Sequence, residues 1–113
     1  MLRTGEYVRE DGSNAYRDWF EQLDPQAAAK VAIAVTRLSL GNTSNLKRIG
    51  AISEYRIDRG PGYRIYLAGN ESAWTLLGGG TKRRQSSDVE RATILFSEYR
   101  RRKSERLSSR GRR

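Results

Sequence analysis

The side chains best equipped for chemistry in this sequence are cations that lie on alternating segments and loops in its middle. Arg56 and Arg64 lie in segments that alternate apolar and polar residues, Tyr66 follows two positions later, and Lys82, Arg83 and Arg84 come just after a run of three glycines. Lys47 and Arg48 precede them all. An arginine stays protonated throughout the biological pH range, so Arg56 and Arg64 can serve a reaction only by holding an anion in the guanidinium fork. Moving a proton requires a group that titrates. The chain has no His and no Cys, which removes imidazole acid–base catalysis, thiolate nucleophiles and the usual nitrogen and sulfur metal ligands. Carboxylates, lysine and tyrosine remain. Lys82 is the first candidate because Arg83 and Arg84 beside it disfavour a further positive charge; Tyr66 is the second, as an acid or as a surface on which a base stacks. No metal and no cofactor are expected.

The charge is unevenly spread. Over 113 residues the chain carries 22 Lys and Arg against 13 Asp and Glu, a net +9. Residues 1–46 sum to −1, residues 47–84 to +5, residues 85–99 to −2 and residues 100–113 to +7. A polyanionic partner suits two such basic zones. The length is that of one domain, expected over residues 1–103. Residues 104–113 are expected to be a disordered basic tail, since Ser108, Ser109 and Gly111 among arginines, with a lone Leu107, offer no face to bury. No apolar stretch is long enough to span a bilayer and no signal peptide is evident at the N-terminus, so a soluble, cytoplasmic protein with no membrane partner is expected.

The elements that position these residues can be read from periodicity. Residues 2–9 alternate weakly and suggest a short strand. Tyr16, Trp19, Phe20 and Leu23 fall at helical spacing, with Ser13 as the expected cap. Asp24-Pro25 opens a second helix, with Asp as cap and Pro where its missing N–H costs nothing, and this helix ends at Gly41. The tight connection implies a helical hairpin. From Ile52 the period becomes two: Tyr55 and Ile57 alternate with Glu54, Arg56 and Asp58, Gly60-Pro61-Gly62 forms a turn, and Tyr63, Ile65 and Leu67 alternate with Arg64 and Tyr66. Opposing Ile57 to Ile65 puts Asp58 across from Arg64 and Arg56 across from Tyr66, and separates an apolar face from a polar one. A turn is expected at Gly69-Asn70, a buried strand over Ala73 to Leu77 that exits at Gly78 to Gly80, and a last helix opened by a capping box of Ser87 and Glu90, with Val89, Ala92, Leu95, Phe96 and Tyr99 on one stripe. The fold class is α+β: an N-terminal strand, a helical hairpin, a three-stranded antiparallel meander in a sheet of about four strands, and a C-terminal helix. The helices are expected on one face of the sheet, leaving Arg56, Arg64 and Tyr66 on the open face. Tyr55, Tyr63 and Trp74 read as packed rather than functional.

The order of these parts, SEYRIDRGPGYRIYL (Ser53 to Leu67), TLLGGGTKRRQSSDVERA (Thr75 to Ala92) and FSEYR (Phe96 to Arg100), resembles the RelE/ParE superfamily, and within it the HigB-like "addiction module killer protein" branch of type II toxin–antitoxin toxins. The resemblance covers about residues 13 to 100. Thr81 stands where the family commonly has Asp.

The resemblance implies a small mRNA interferase, an endoribonuclease that acts on mRNA in the ribosome, inhibits translation and is held inactive by a cognate antitoxin, here expected to be a helix-turn-helix protein. Metal-independent cleavage would proceed by attack of a 2′-OH on the adjacent phosphate. It needs a proton acceptor, donors for the charge that builds on the phosphoryl oxygens, and an acid for the leaving 5′-O. Arg56 and Arg64 would be the clamp, Lys82 or Tyr66 the proton carrier, and Lys47, Arg48, Arg83 and Arg84 the RNA-binding cations. Asp58 or Glu54 could equally be structural ion-pair partners of these arginines. On this reading Arg64→Ala abolishes cleavage and leaves the fold intact. A gyrase poison of the same fold, or a non-catalytic RNA-binding protein, is the alternative.

Overall fold

The computed structural model describes residues 3–58, 60–69 and 72–111. Its elements run β1 (Arg3–Glu6), α1 (Ala15–Glu21), α2 (Pro25–Ser39), β2 (Leu46–Ile49), β3 (Ile52–Ile57), β4 (Tyr63–Gly69), β5 (Ala73–Thr81), a 3-10 turn (Lys82–Arg84) and α3 (Gln85–Gly111). The five strands make one mixed sheet in the order β1-β5-β4-β3-β2, with β1 parallel to β5 and every other neighbouring pair antiparallel. The α+β class is the one expected, with one strand more. The extra strand, β2, carries Leu46 and Ile49 on either side of two cations, a spacing of three that does not follow strand alternation and is too short to mark a helix. Leu2, Asn70 of the expected Gly69-Asn70 turn, and Arg112 and Arg113 lie outside the described residues. Among the described residues no helix is long and apolar enough to cross a membrane.

Local chemistry explains where the first helices begin. Asn14, not Ser13, caps α1: its Oδ1 accepts from the Arg17 N–H at 2.9 Å, while Ser13 turns back to Asp11. Asp24 caps α2 as expected, accepting from the Ala27 N–H at 3.0 Å, with Pro25 at the first helical position. At the other end of the chain, α3 does not open with a Ser87–Glu90 box. The 3-10 turn leads straight into Gln85, so Ser87 lies inside the helix, where its hydroxyl donates to the Arg84 carbonyl.

Helices cover both faces of the sheet, not one. On the first face Tyr16, Val31, Ala34 and Leu38 from α1 and α2 pack on Tyr55, Ile65, Leu67 and Leu76. On the second, Ala92 and Leu95 from α3 pack on Ile52, Tyr66, Ala68 and Leu77, with Tyr7. Each large apolar side chain removed from water in these layers contributes about 1.5–3 kcal/mol. The face expected to lie open is therefore largely roofed by α3.

The β3–β4 register also differs from expectation, by two residues. Ile57 pairs with Tyr63, Arg56 with Arg64, Tyr55 with Ile65 and Glu54 with Tyr66. The shift by two keeps every side chain on its expected face, since side chains alternate with period two. It widens the loop, in which Gly60 and Gly62 adopt φ of +53° and +73°, values that suit glycine. Asp58 falls in that loop and is not opposite Arg64.

The glycine run does not end β5 but continues it to Thr81. A Cβ on Gly79 would run into the Trp19 indole, and one on Gly80 into the Asp88 carboxylate; the glycines let α1 and α3 approach the sheet. Finally, α3 runs past residue 103 to Gly111. Arg102 ties it down, donating to Tyr7 Oη at 3.2 Å and to the Val8 carbonyl at 3.0 Å, whereas residues 103–108 are exposed. Arg101 and Glu105, 3.9 Å apart on adjacent turns, are the i, i+4 kind of pair that supports a solvated helix.

Candidate active site

Arg56, Arg64 and Lys82 lie at the end of the sheet where β3 turns into β4. Arg56 and Arg64 are direct partners across the two strands, which places both on the face that α3 covers. Arg56 is exposed, whereas Arg64 is 4% exposed. The Gly62 carbonyl joins this pair to the loop after β5: it accepts from Arg64 Nη1 at 2.7 Å and from the backbone N–H of Lys82 at 3.0 Å. Lys82 thus sits against the GPG turn with its side chain exposed, and Arg83 and Arg84, also exposed, follow in the 3-10 turn.

Lys47 and Arg48 separate. Lys47 pairs with Glu54, which in turn pairs with Tyr66, so Lys47 shares the face of Arg56. Arg48 is on the opposite face, its Nε donating to the Gly50 carbonyl at 2.7 Å. Of the eight cationic and tyrosine candidates, Arg48 is the one that β-sheet alternation turns away.

Tyr66 is not on an open surface. It has no exposed area, and its Oη has no hydrogen-bond partner among the described residues. Burial pushes the phenol above its ordinary range, and the charges of Glu54 and Asp88 push the same way, against a smaller opposing effect of Arg64. A proton carrier facing solvent is not what this side chain is.

Periodicity alone did not reveal the polar layer beneath α3. Glu54, 1% exposed, pairs with Arg64, its Oε1 lying 3.4 Å from Arg64 Nε, and its Oε2 accepts from Gln85 Nε2 at 2.7 Å. Arg64 is held by this carboxylate, not by Asp58. A buried ion pair of this sort fixes the guanidinium in direction. Asp88, one helical turn after Gln85, is 8% exposed, and burial raises its carboxyl against the opposing pull of Arg84 and Arg91. The alternation that puts Glu54 on the face of Arg56 and Arg64 was the available signal for the first of these. For Gln85 and Asp88 there was none, because they reach the site across the chain from a helix. Tyr55 is core as expected, Tyr63 is half-buried, and Trp74 packs against the α1/α2 side of the sheet.

No protein-family model matches the chain. It is similar to a protein of Haemophilus influenzae (strain ATCC 51907 / DSM 11121 / KW20 / Rd) described as "Uncharacterized protein", with 36% identity over 86 residues, covering 74% of this chain and 87% of that one.

Proposed function

The chain belongs to the family of that Haemophilus influenzae protein, and we propose that it is a toxin of the RelE/ParE kind, an endoribonuclease that cleaves mRNA in the ribosome and is restrained by a partner antitoxin. The observation that carries this reading is the shared Gly62 carbonyl, which brings the Arg64 guanidinium and the Lys82 loop together with Arg56 directly across the strand. Two arginines and a lysine at one corner suit a phosphodiester. The motif resemblance over Ser53 to Leu67 and Thr75 to Ala92 supports the same reading.

In this mechanism Arg56, free to move, closes on a non-bridging phosphoryl oxygen, and Arg64, held in direction by Glu54 and Gly62, presents its remaining N–H donors to the same phosphate. The 2′-OH gives its proton to water as its oxygen bonds to phosphorus and the bond to the 5′-oxygen breaks, leaving a 2′,3′-cyclic phosphate. The Lys82 ammonium, on the exposed loop, gives a proton to the departing 5′-oxygen and regains one from solvent. Lys47, Arg83 and Arg84 hold neighbouring phosphates. A site donor of this kind contributes about 10²- to 10³-fold to rate.

The test is mRNA cleavage by the purified protein with and without ribosomes, mapped at the nucleotide level. Cleavage that requires ribosomes and falls about 10²-fold or more in Arg56→Ala and Lys82→Met is the expected result. Inhibition of gyrase with no cleavage of mRNA, with or without ribosomes, would replace the proposal with a gyrase poison; RNA binding without cleavage would leave a non-catalytic RNA-binding protein.

A further inference from the structure

Beside this basic corner the outer edge of β5 opens into a cleft of about 460 Å³ between α1 and α3, within the size range of small-molecule sites. β1 pairs with β5 only from Ala73 to Leu76, so the stretch from Gly78 to Thr81 forms the floor of the cleft with no strand on its outer side among the described residues. The Trp19 indole, lying on Gly79, makes one wall, and Arg84 of the 3-10 turn and Arg91 of α3 line the other side. Two polar atoms of residues lining the cleft have no partner among the described residues: Tyr66 Oη and Asp88 Oδ2. Tyr66 has no exposed surface and Asp88 is 8% exposed; Tyr66 pairs with Gly78, and the Asp88 carboxylate lies over Gly80, two residues along the same strand and on the same face. Buried polar atoms are nearly always partnered, because leaving one unmet forfeits its hydration for nothing.

We infer that this cleft binds a nucleobase, with the attached phosphate toward Arg84 and Arg91. The pairing edge of a base presents an N–H donor beside an acceptor, which complements a carboxylate oxygen beside a phenolic O–H. A planar ring stacks on an indole, and a floor without side chains lets it come close to the strand. Guanidinium groups supply the phosphate contact. A free phosphate would satisfy the two arginines but would leave the Tyr66 and Asp88 atoms unmet or repelled. As the base-reading part of an RNA-cleaving site, the cleft adjoins the clamp through Thr81 and Arg84 and rests on the reading above; as a nucleotide site it does not.

The test is a fluorescence titration of the full chain carrying Trp74→Phe, which leaves Trp19 as the sole indole, with the four 5′-nucleoside monophosphates and with ribose 5-phosphate. At least one nucleotide is expected to quench Trp19 and to bind at least tenfold more tightly than ribose 5-phosphate. Its Kd is expected to rise at least tenfold in Asp88→Asn and in Tyr66→Phe. The second variant keeps the ring and loses only the hydroxyl, so it reports even where the first fails to fold. Equal affinity for ribose 5-phosphate reduces the cleft to an anion site and overturns the inference, as does the absence of nucleotide binding or an unchanged Kd in Tyr66→Phe. The titration contains no cleavable bond. Nucleotide binding without RNA cleavage removes the nuclease and keeps the cleft; cleavage without nucleotide binding does the reverse.

Discussion

Arg64 and Arg56 face each other across two strands but differ in burial: Arg64 is enclosed and Arg56 is exposed. The Arg64 guanidinium neutralises the buried Glu54 carboxylate, so Arg64→Ala strands that carboxylate. A loss of about 3–5 kcal/mol is expected in urea unfolding, in place of the intact fold expected when Arg64 is read only as a phosphate clamp. Arg56→Ala, on the exposed side of the same pair, is expected to change stability by no more than about 0.5 kcal/mol. Arg56 is therefore the cleaner probe of phosphate binding. Asp88 offers a second contrast, read through pH. Burial raises its carboxyl above the ordinary 3.8, so its proton is held more tightly in the folded chain than in the unfolded one. The stability that this supplies is complete below the ordinary value and is lost as pH rises through the raised one. Asp88→Asn is expected to abolish that decline, and denaturant unfolding measured as pH rises from below 3.8 checks it. That both arginines share a face was legible in the sequence; their direct pairing and the buried partners that distinguish them were not, since register is not set by alternation and burial depends on α3 arriving from elsewhere in the chain.

At the scale of elements, the attachment of α3 to the N-terminal segment is the part most open to measurement. Glu98 accepts from Arg9 at 3.0 and 2.9 Å and from Tyr7 Oη at 2.5 Å. The Arg9 hydrogen bonds, and then that of Tyr7, lower its carboxyl from 4.5 to about 2. A lowered carboxyl stabilises the fold at pH values above its unfolded value and ceases to do so as pH falls through the folded one. The expected outcome is that the wild type and Glu98→Gln differ in thermal stability at neutral pH and converge between pH 4.5 and about 2. The α2 start gives an independent check: Asp24→Ala removes the cap on the Ala27 N–H and is expected to cost about 1 kcal/mol. That cap was readable because Asp-Pro is a local signal. The Ser87–Glu90 box was equally local and did not form, because the preceding 3-10 turn had already started the helix at Gln85.

The whole molecule is elongated, 53 Å in its longest dimension, and α3 alone, at 1.5 Å per residue, is about 40 Å long. Its last exposed turns carry charge away from the sheet. Truncation after Lys103 removes Arg106, Arg110, Arg112 and Arg113 together with Glu105 and leaves the Arg102 anchor in place. If these cations touch RNA, the slope of log K against log salt is expected to flatten by up to about 3, at about 0.7 per phosphate contact on a single strand; an unchanged slope would show that they do not. Taken alone, the sequence determined which residues share a face, where α2 begins and that the basic centre of the chain lies on strands and their loops. Those properties follow from side-chain alternation and capping, which act over a few residues. Only the tertiary structure decided the β3–β4 register, the covering of both sheet faces, the burial of Tyr66 and the ion pair of Arg64 with Glu54. A shift by two preserves every face, so alternation could not choose between registers. Burial belongs to whichever helix lands on the strand, and here that is α3, brought close by Gly80 and held by Gln85.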